Sequence, residues 1–272
     1  MRVRGSAAHP QGMNFAKRLL VVAVAAIVLS FFVVLGGNGG LFGGLPSRVV
    51  DTLSDAWNHR PAGYSRAAGT PGPGLTLEGA DMGGLADQAA AVRVVTNPAQ
   101  GYEPDAFGED WASAGGGCTV RDEVLARDLA DVTYSEGSRC QVATGTLVDP
   151  YRGFEVAFTR GRATSSAVQI DHVLARATAW RTGANDWSAE QREAFSNDTL
   201  NLLAVDGPSN AAKSDKTLSE FASATIDGTP ALAEAGRCDF TARYVSVVVK
   251  YGLGMYQADK DYAVATLREC AA

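Results

Sequence analysis

Five side chains in the second half of this 272-residue chain have the types and spacing for phosphodiester chemistry: Asp171, His172, Asn201, Asn210 and Lys213. Hydrolysis of a phosphodiester needs a water made nucleophilic, charge neutralised on the phosphate and a stabilised oxyanion leaving group. An imidazole suits the first task, because its unperturbed pKa lies near neutrality. His172 is the only histidine beyond residue 59, since His9 and His59 fall in the tail and linker. A hard divalent cation held by oxygen ligands suits the other two tasks. The Asp171 carboxylate and the Asn210 side-chain carbonyl are donors of that kind. Lys213, one helical turn beyond Asn210, shares its face and can reach the phosphate. Each residue also has a plainer reading: Asp171 as a helix cap, Asn201 as a turn residue, Asn210 as a helix N-terminal residue and Lys213 as a solvated surface lysine.

These residues need elements that bring them together. Ala167–Ile170 reads as a strand delivering Asp171-His172 at its end, and neighbours on an extended strand point to opposite sides. Asn201–Val205 reads as a second strand. Asp206-Gly207-Pro208 turns it into a short helix running to about Lys216. Before them, a helix is expected from Arg121 to Val132, with Val124, Leu125, Leu129 and Val132 at helical spacing. A hairpin follows: Val142–Val148 and Phe154–Phe158 alternate in polarity around Asp149-Pro150-Tyr151-Arg152-Gly153. Ser188 with Gln191 makes a capping box for a helix through Phe195. Asp239 is expected to cap a helix through Met255, and Asp259 to start another through Glu269. Tyr244, Val247, Val248 and Tyr251 then read as core, as do Trp180 and Trp187. The fold class is α+β.

The stretches VQIDHVLARATAW and NDTLNLLAVDGPSNAAKSDK resemble the HNH (ββα-metal) nuclease motif. With Cys118-Thr119-Val120-Arg121-Asp122, Arg127-Asp128-Leu129, Gly145–Tyr151 and Arg160-Gly161, residues 100–270 resemble the exported HNH endonucleases related to the C-terminal domain of GmrSD-type restriction endonucleases. The resemblance implies a ββα-metal core with flanking helices. It implies Asp171 and Asn210 as metal ligands, His172 as general base, Asn201 holding the loop that orients the histidine, and Lys213 assisting at the phosphate. Mg²⁺ is the implied ion, with Mn²⁺ able to substitute, and nucleic acid, DNA ahead of RNA, the implied substrate. Relatives commonly read Asp-His-x-x-Pro, and this chain has Ala175 at the proline position, which alters how stiffly the strand ends.

The first sixty residues hold six Lys/Arg and two Asp/Glu, which leaves 18 basic against 28 acidic in residues 61–272. An acidic domain does not grip DNA by bulk electrostatics, so any nucleic-acid contact has to be concentrated in a small site. Residues 1–18 form a basic leader, and the run Leu19–Leu35 is predominantly apolar. At 17 residues it is long for a secretory segment and just long enough to span. An uncleaved signal anchor is favoured over a cleaved signal peptide, with everything beyond it extracytoplasmic. Residues 36–85 read as a Gly/Pro/Ala-rich linker and 86–272 as the nuclease domain, taken as a monomer. The cysteines 118, 140, 238 and 270 all follow the apolar run, and export favours disulfides. Three pairings are possible. Cys118–Cys140 with Cys238–Cys270 is expected, each bridge stapling one local segment to its neighbour.

A non-catalytic envelope module that keeps the fold is the competing function. A serine hydrolase is disfavoured, because the chain has no G-x-S-x-G elbow.

Overall fold

A computed structural model describes residues 65–66, 74–108 and 111–272. The described residues all belong to one compact unit within Arg60–Ala272. The basic leader, the apolar run at 19–35, His9, His59 and most of the linker lie outside the described residues. None of the described helices is long and apolar enough to cross a membrane.

The architecture is mixed α+β. Strand β1 (Ser65–Arg66) and helix α1 (Met82–Ala91) come first. The boundary expected at residue 86 therefore falls inside a helix, and Leu75 is already fully buried in the core. A short ribbon, β2 (Ser113–Gly115) and β3 (Cys118–Thr119), leads into α2 (Val120–Asp128), β4 (Leu129–Tyr134), β5 (Val142–Val148) and β6 (Phe154–Thr159). These strands form a four-stranded sheet in the order β1-β6-β5-β4. Next come β7 (Val168–His172), α3 (Arg176–Thr182), α4 (Ala189–Ser196), β8 (Leu202–Asp206) and α5 (Gly207–Lys213). The chain finishes with α6 (Leu218–Ala222), a small ribbon of β9 (Thr225–Ile226) and β10 (Thr229–Pro230), α7 (Arg237–Lys250) and α8 (Gln257–Cys270).

The hairpin and the Ser188 capping box form where the sequence places them: Gln191 N–H donates to Ser188 Oγ and Ser188 N–H to Gln191 Oε1. Three expectations need correction. The first helix stops at Asp128, and Leu129 and Val132 belong to β4. Leu129 pairs with Leu147 and Ala130 with Thr146, so that segment takes its backbone hydrogen bonds from β5. The chain leaves the helix at Leu129, whose φ of −97° and ψ of 142° are already extended, and β4 carries a bulge around Asp131, with φ of 51°. Helix α7 starts at Arg237 and ends at Lys250, short of Met255, because Gly252 turns the chain with a φ of 61°. Asp259 is the third residue of α8; its Oδ1 is buried and takes Thr217 Oγ1, Ser219 N–H and Ser219 Oγ.

Two apolar clusters share one wall. The larger is built from α1, α3, α4 and α6–α8, and the smaller from α2 and the four-stranded sheet. The wall is the antiparallel β7–β8 ribbon, in register from Val168↔Asp206 to His172↔Leu202. Every residue of β8 is buried. Leu203 and Val205 face the larger cluster, while Leu202 and Ala204 face the smaller, as the two-residue period of a strand demands. A ribbon packed on both faces has little freedom, so the residues at its end are held in place.

Candidate active site

Asp171-His172 closes β7, and α5 follows β8 after one tight junction. Asp206 caps α5, its carboxylate taking Ser209 N–H at 3.1 Å. Gly207 is needed there, since a Cβ would sit 2.6 Å from the Ser166 carbonyl oxygen. Asn201 thus comes immediately before β8, and Asn210 and Lys213 from α5, the strand and the helix that lie against β7.

His172 is half-buried, and its ring lies nearly parallel to those of Trp111 and Phe195, 11° in each case. Its Nε2 is 2.8 Å from the Ser196 carbonyl oxygen. A carbonyl only accepts, so Nε2 carries the proton and Nδ1 keeps the lone pair. Burial pushes the imidazole pKa down to about 3; the Ser196 carbonyl opposes this, while Arg176 and Lys213 add to it. The ring is therefore neutral, with one nitrogen able to take a proton.

Asn201 is fully buried. Its Oδ1 accepts from Leu174 N–H at 2.8 Å, its Nδ2 donates to Leu174 O at 3.1 Å, and its own carbonyl accepts from Val173 N–H at 2.8 Å. Three bonds thus pin the two residues that follow the histidine.

Lys213 is 1% exposed and turned inward. Its Nζ lies 2.9 Å from Asp171 Oδ2, 3.2 Å from Asp171 Oδ1 and 2.8 Å from His172 O. Tyr151, which the sequence placed in a turn and in one of the stretches that carry the resemblance but gave no role, donates its hydroxyl to Asp171 Oδ2 at 2.6 Å. Burial and the Asp171 charge push that phenol well above its ordinary pKa, so it stays a donor. Asn210 donates from Nδ2 to Gln169 Oε1 at 2.8 Å. Arg160 is tied to Asp122 and to the Val142 carbonyl, and does not line the cleft that holds His172.

The donor types at Asp171 and Asn210 are those a hard divalent cation takes, and in this arrangement both side chains are engaged by protein groups. The Asp171 carboxylate already holds an ammonium and a phenol, and no group of three or more His, Cys, Asp or Glu among the described residues is placed to hold a metal ion. Asp171, His172, Tyr102, Ala175, Arg176, Ala177, Arg181, Ser214 and Asp215 line an open cleft of about 300 Å³. Tyr102, Arg176 and Arg181 had no sequence signal, because a cleft arginine and a surface arginine look alike in one dimension.

Strand β7 thus ends in Asp171-His172, and α5, beyond β8, bears Asn210 and Lys213, within a mixed α+β domain. Residues 119–261 match the family of the GmrSD restriction endonucleases, C-terminal domain, and the chain belongs to that family. A protein of Arthroderma benhamiae described as an "Uncharacterized secreted protein" is 32% identical over 175 residues, which cover 64% of this chain and 78% of the relative. No solved structure matches the chain.

Proposed function

We propose that the chain is an HNH-type endonuclease with a ββα core (β7, β8 and α5) that hydrolyses nucleic-acid phosphodiester bonds, DNA ahead of RNA, outside the cytoplasmic membrane. The observation that carries this reading is the placement of His172: it lines the open cleft and its Nε2 is 2.8 Å from the Ser196 carbonyl oxygen, a contact that assigns the proton to Nε2 and leaves Nδ1 as the basic nitrogen. In this role Nδ1 takes the proton of the attacking water. Asn201 fixes the backbone beyond the histidine, and Lys213 and Tyr151 hold Asp171. The extracytoplasmic site is supported by the two disulfides and by the relative described as secreted. Mg²⁺, or Mn²⁺ in its place, is the cation to test at Asp171 and Asn210, and any such ion has to compete with Lys213 for the carboxylate.

One observation favours a second reading, a non-catalytic envelope module: the Lys213–Asp171 pair leaves Asp171 structurally occupied. The experiment that separates the two incubates the full chain, disulfides intact, with supercoiled plasmid in Mg²⁺, in Mn²⁺ and in EDTA, beside His172→Ala. Nicking that drops at least a hundredfold in the variant is expected. A folded protein that cuts neither plasmid nor RNA under any of these conditions leaves the binding module as the better reading.

A further inference from the structure

We propose that Arg176 grips the phosphate of the substrate strand in the His172 cleft. The inference rests on the nuclease reading of that cleft and names the residue that makes an acidic domain bind a polyanion.

The charges around the cleft can be followed one by one. Arg181 forms an ion pair with Asp215. Asp215 is held there further, because its carbonyl accepts from Thr178 Oγ1 at 2.9 Å. Lys213 is buried against Asp171. Each of the two cleft carboxylates is thus matched by its own cation. Arg176 is left over: it lines the cleft, is half-buried, and forms no hydrogen bond or ion pair among the described residues. Its charge is felt by two other cleft residues, His172 and Tyr102; at Tyr102 it lowers a pKa that burial raises by more.

A guanidinium with no partner among the described residues, set in a concave site, is suited to a phosphodiester. It stays charged, and its planar fork of donors meets two phosphate oxygens at once. Residues 61–272 carry ten more acidic than basic groups, so no broad field assists binding. Affinity for the strand then comes from the cleft, where Arg176, with no partner among the described residues, lines the same site as His172. Arg176 is placed to hold a phosphate while Nδ1 of His172 takes the proton of water.

The test uses the full chain with disulfides intact. In a His172→Ala background, which removes the base but keeps the cleft, binding of a fluorescent single-stranded oligodeoxynucleotide is followed over a KCl series. The comparison adds Arg176→Ala, Arg176→Lys and, as a control on α8, Arg268→Ala. With His172 present, kcat and KM are measured for the same Arg176 variants. Arg176→Ala is expected to raise Kd and KM about tenfold to a hundredfold, with kcat within a few-fold. The slope of log K against log salt should flatten by about one. Lysine should restore part of the affinity, and Arg268→Ala should change neither quantity. Unchanged affinity and slope in Arg176→Ala, with nicking intact, overturn the role of Arg176 and leave the nuclease reading standing. A loss confined to kcat also overturns it. A chain with His172 present that neither binds nor cuts overturns both.

Discussion

Lys213 is the residue whose surroundings differ most from what its type suggests. A lysine near the end of a short helix is ordinarily solvated, yet this one is buried on Asp171 and the His172 carbonyl. Removing one member of a buried pair leaves the other charge without its counter-ion, at a cost of about 3–5 kcal/mol. Lys213→Met should therefore lower stability by that amount in urea unfolding without added metal. Mg²⁺ should restore part of the loss in the variant, and do so more than in the wild-type chain, because the ion no longer competes with an ammonium. Mg²⁺ that leaves both unfolding midpoints unmoved would remove Asp171 from the list of metal ligands. Asn201 makes the opposite point. Its type and position before a strand suggested a turn or a loop anchor, and its side chain closes a reciprocal pair on Leu174.

At the level of elements, the junction between β8 and α5 depends on a cluster of buried acids. Asp149 Oδ1 accepts from Asp206 N–H at 2.9 Å and its Oδ2 from Arg152 N–H at 2.9 Å, while Ser209 Oγ lies 3.3 Å from Asp149 Oδ2 and 3.0 Å from Asp206 Oδ2. Burial raises the Asp149 pKa to about 6; the Asp206 N–H opposes this and the Asp206 charge adds to it. A carboxyl whose folded pKa lies above its unfolded value binds more protons in the folded state between the two. Its contribution to stability is therefore full below about pH 4 and is lost as the pH rises through 6, a change of roughly 3 kcal/mol. Asp149→Asn removes this titration. Compared with that variant, the wild-type chain should gain stability as the pH falls from 7 to 4. Parallel curves of unfolding midpoint against pH for the two proteins would show that Asp149 does not titrate there. The hairpin that presents Asp149 was legible in the sequence, because strict alternation on both sides of a turn sequence has few other readings. Strand β4 was not: Leu129 and Val132 fit a helical face equally well, and only pairing with β5 decided between the two.

Across the whole domain, both bridges form as the sequence suggested, Cys118–Cys140 and Cys238–Cys270. The first ties the β2–β3 ribbon to the approach of β5, and the second joins α7 to the end of α8. With separations of 22 and 32 residues, each restricts the unfolded chain by about 3–4 kcal/mol. For a domain of this size, reduction of each bridge should lower the thermal midpoint by about 10 °C. Calorimetry of oxidised and reduced protein checks this, and a midpoint indifferent to reductant would mean the bridges add no stability. Buried Arg243 secures the start of the domain, donating to the carbonyls of Gly74, Leu75 and Leu200.

By itself the sequence determined the local facts. It placed one imidazole beside a carboxylate, put both at the end of a strand, and set Asn and Lys a helical turn apart on the next helix but one. It also showed that the domain carries too much negative charge for broad electrostatic attraction. Periodicity and turn chemistry are short-range, so they can be read along the chain. Tertiary structure alone decided which cation meets which anion. Asp171 and Lys213 are 42 residues apart, Tyr151 lies 20 from Asp171, and Ser196 lies 24 from His172. A charged side chain pairs with whatever packing brings within a few ångströms, and the sequence does not encode that distance locally. For the same reason the fold committed Lys213, Arg181 and Arg160 to partners and, among the described residues, left Arg176 without one in the cleft.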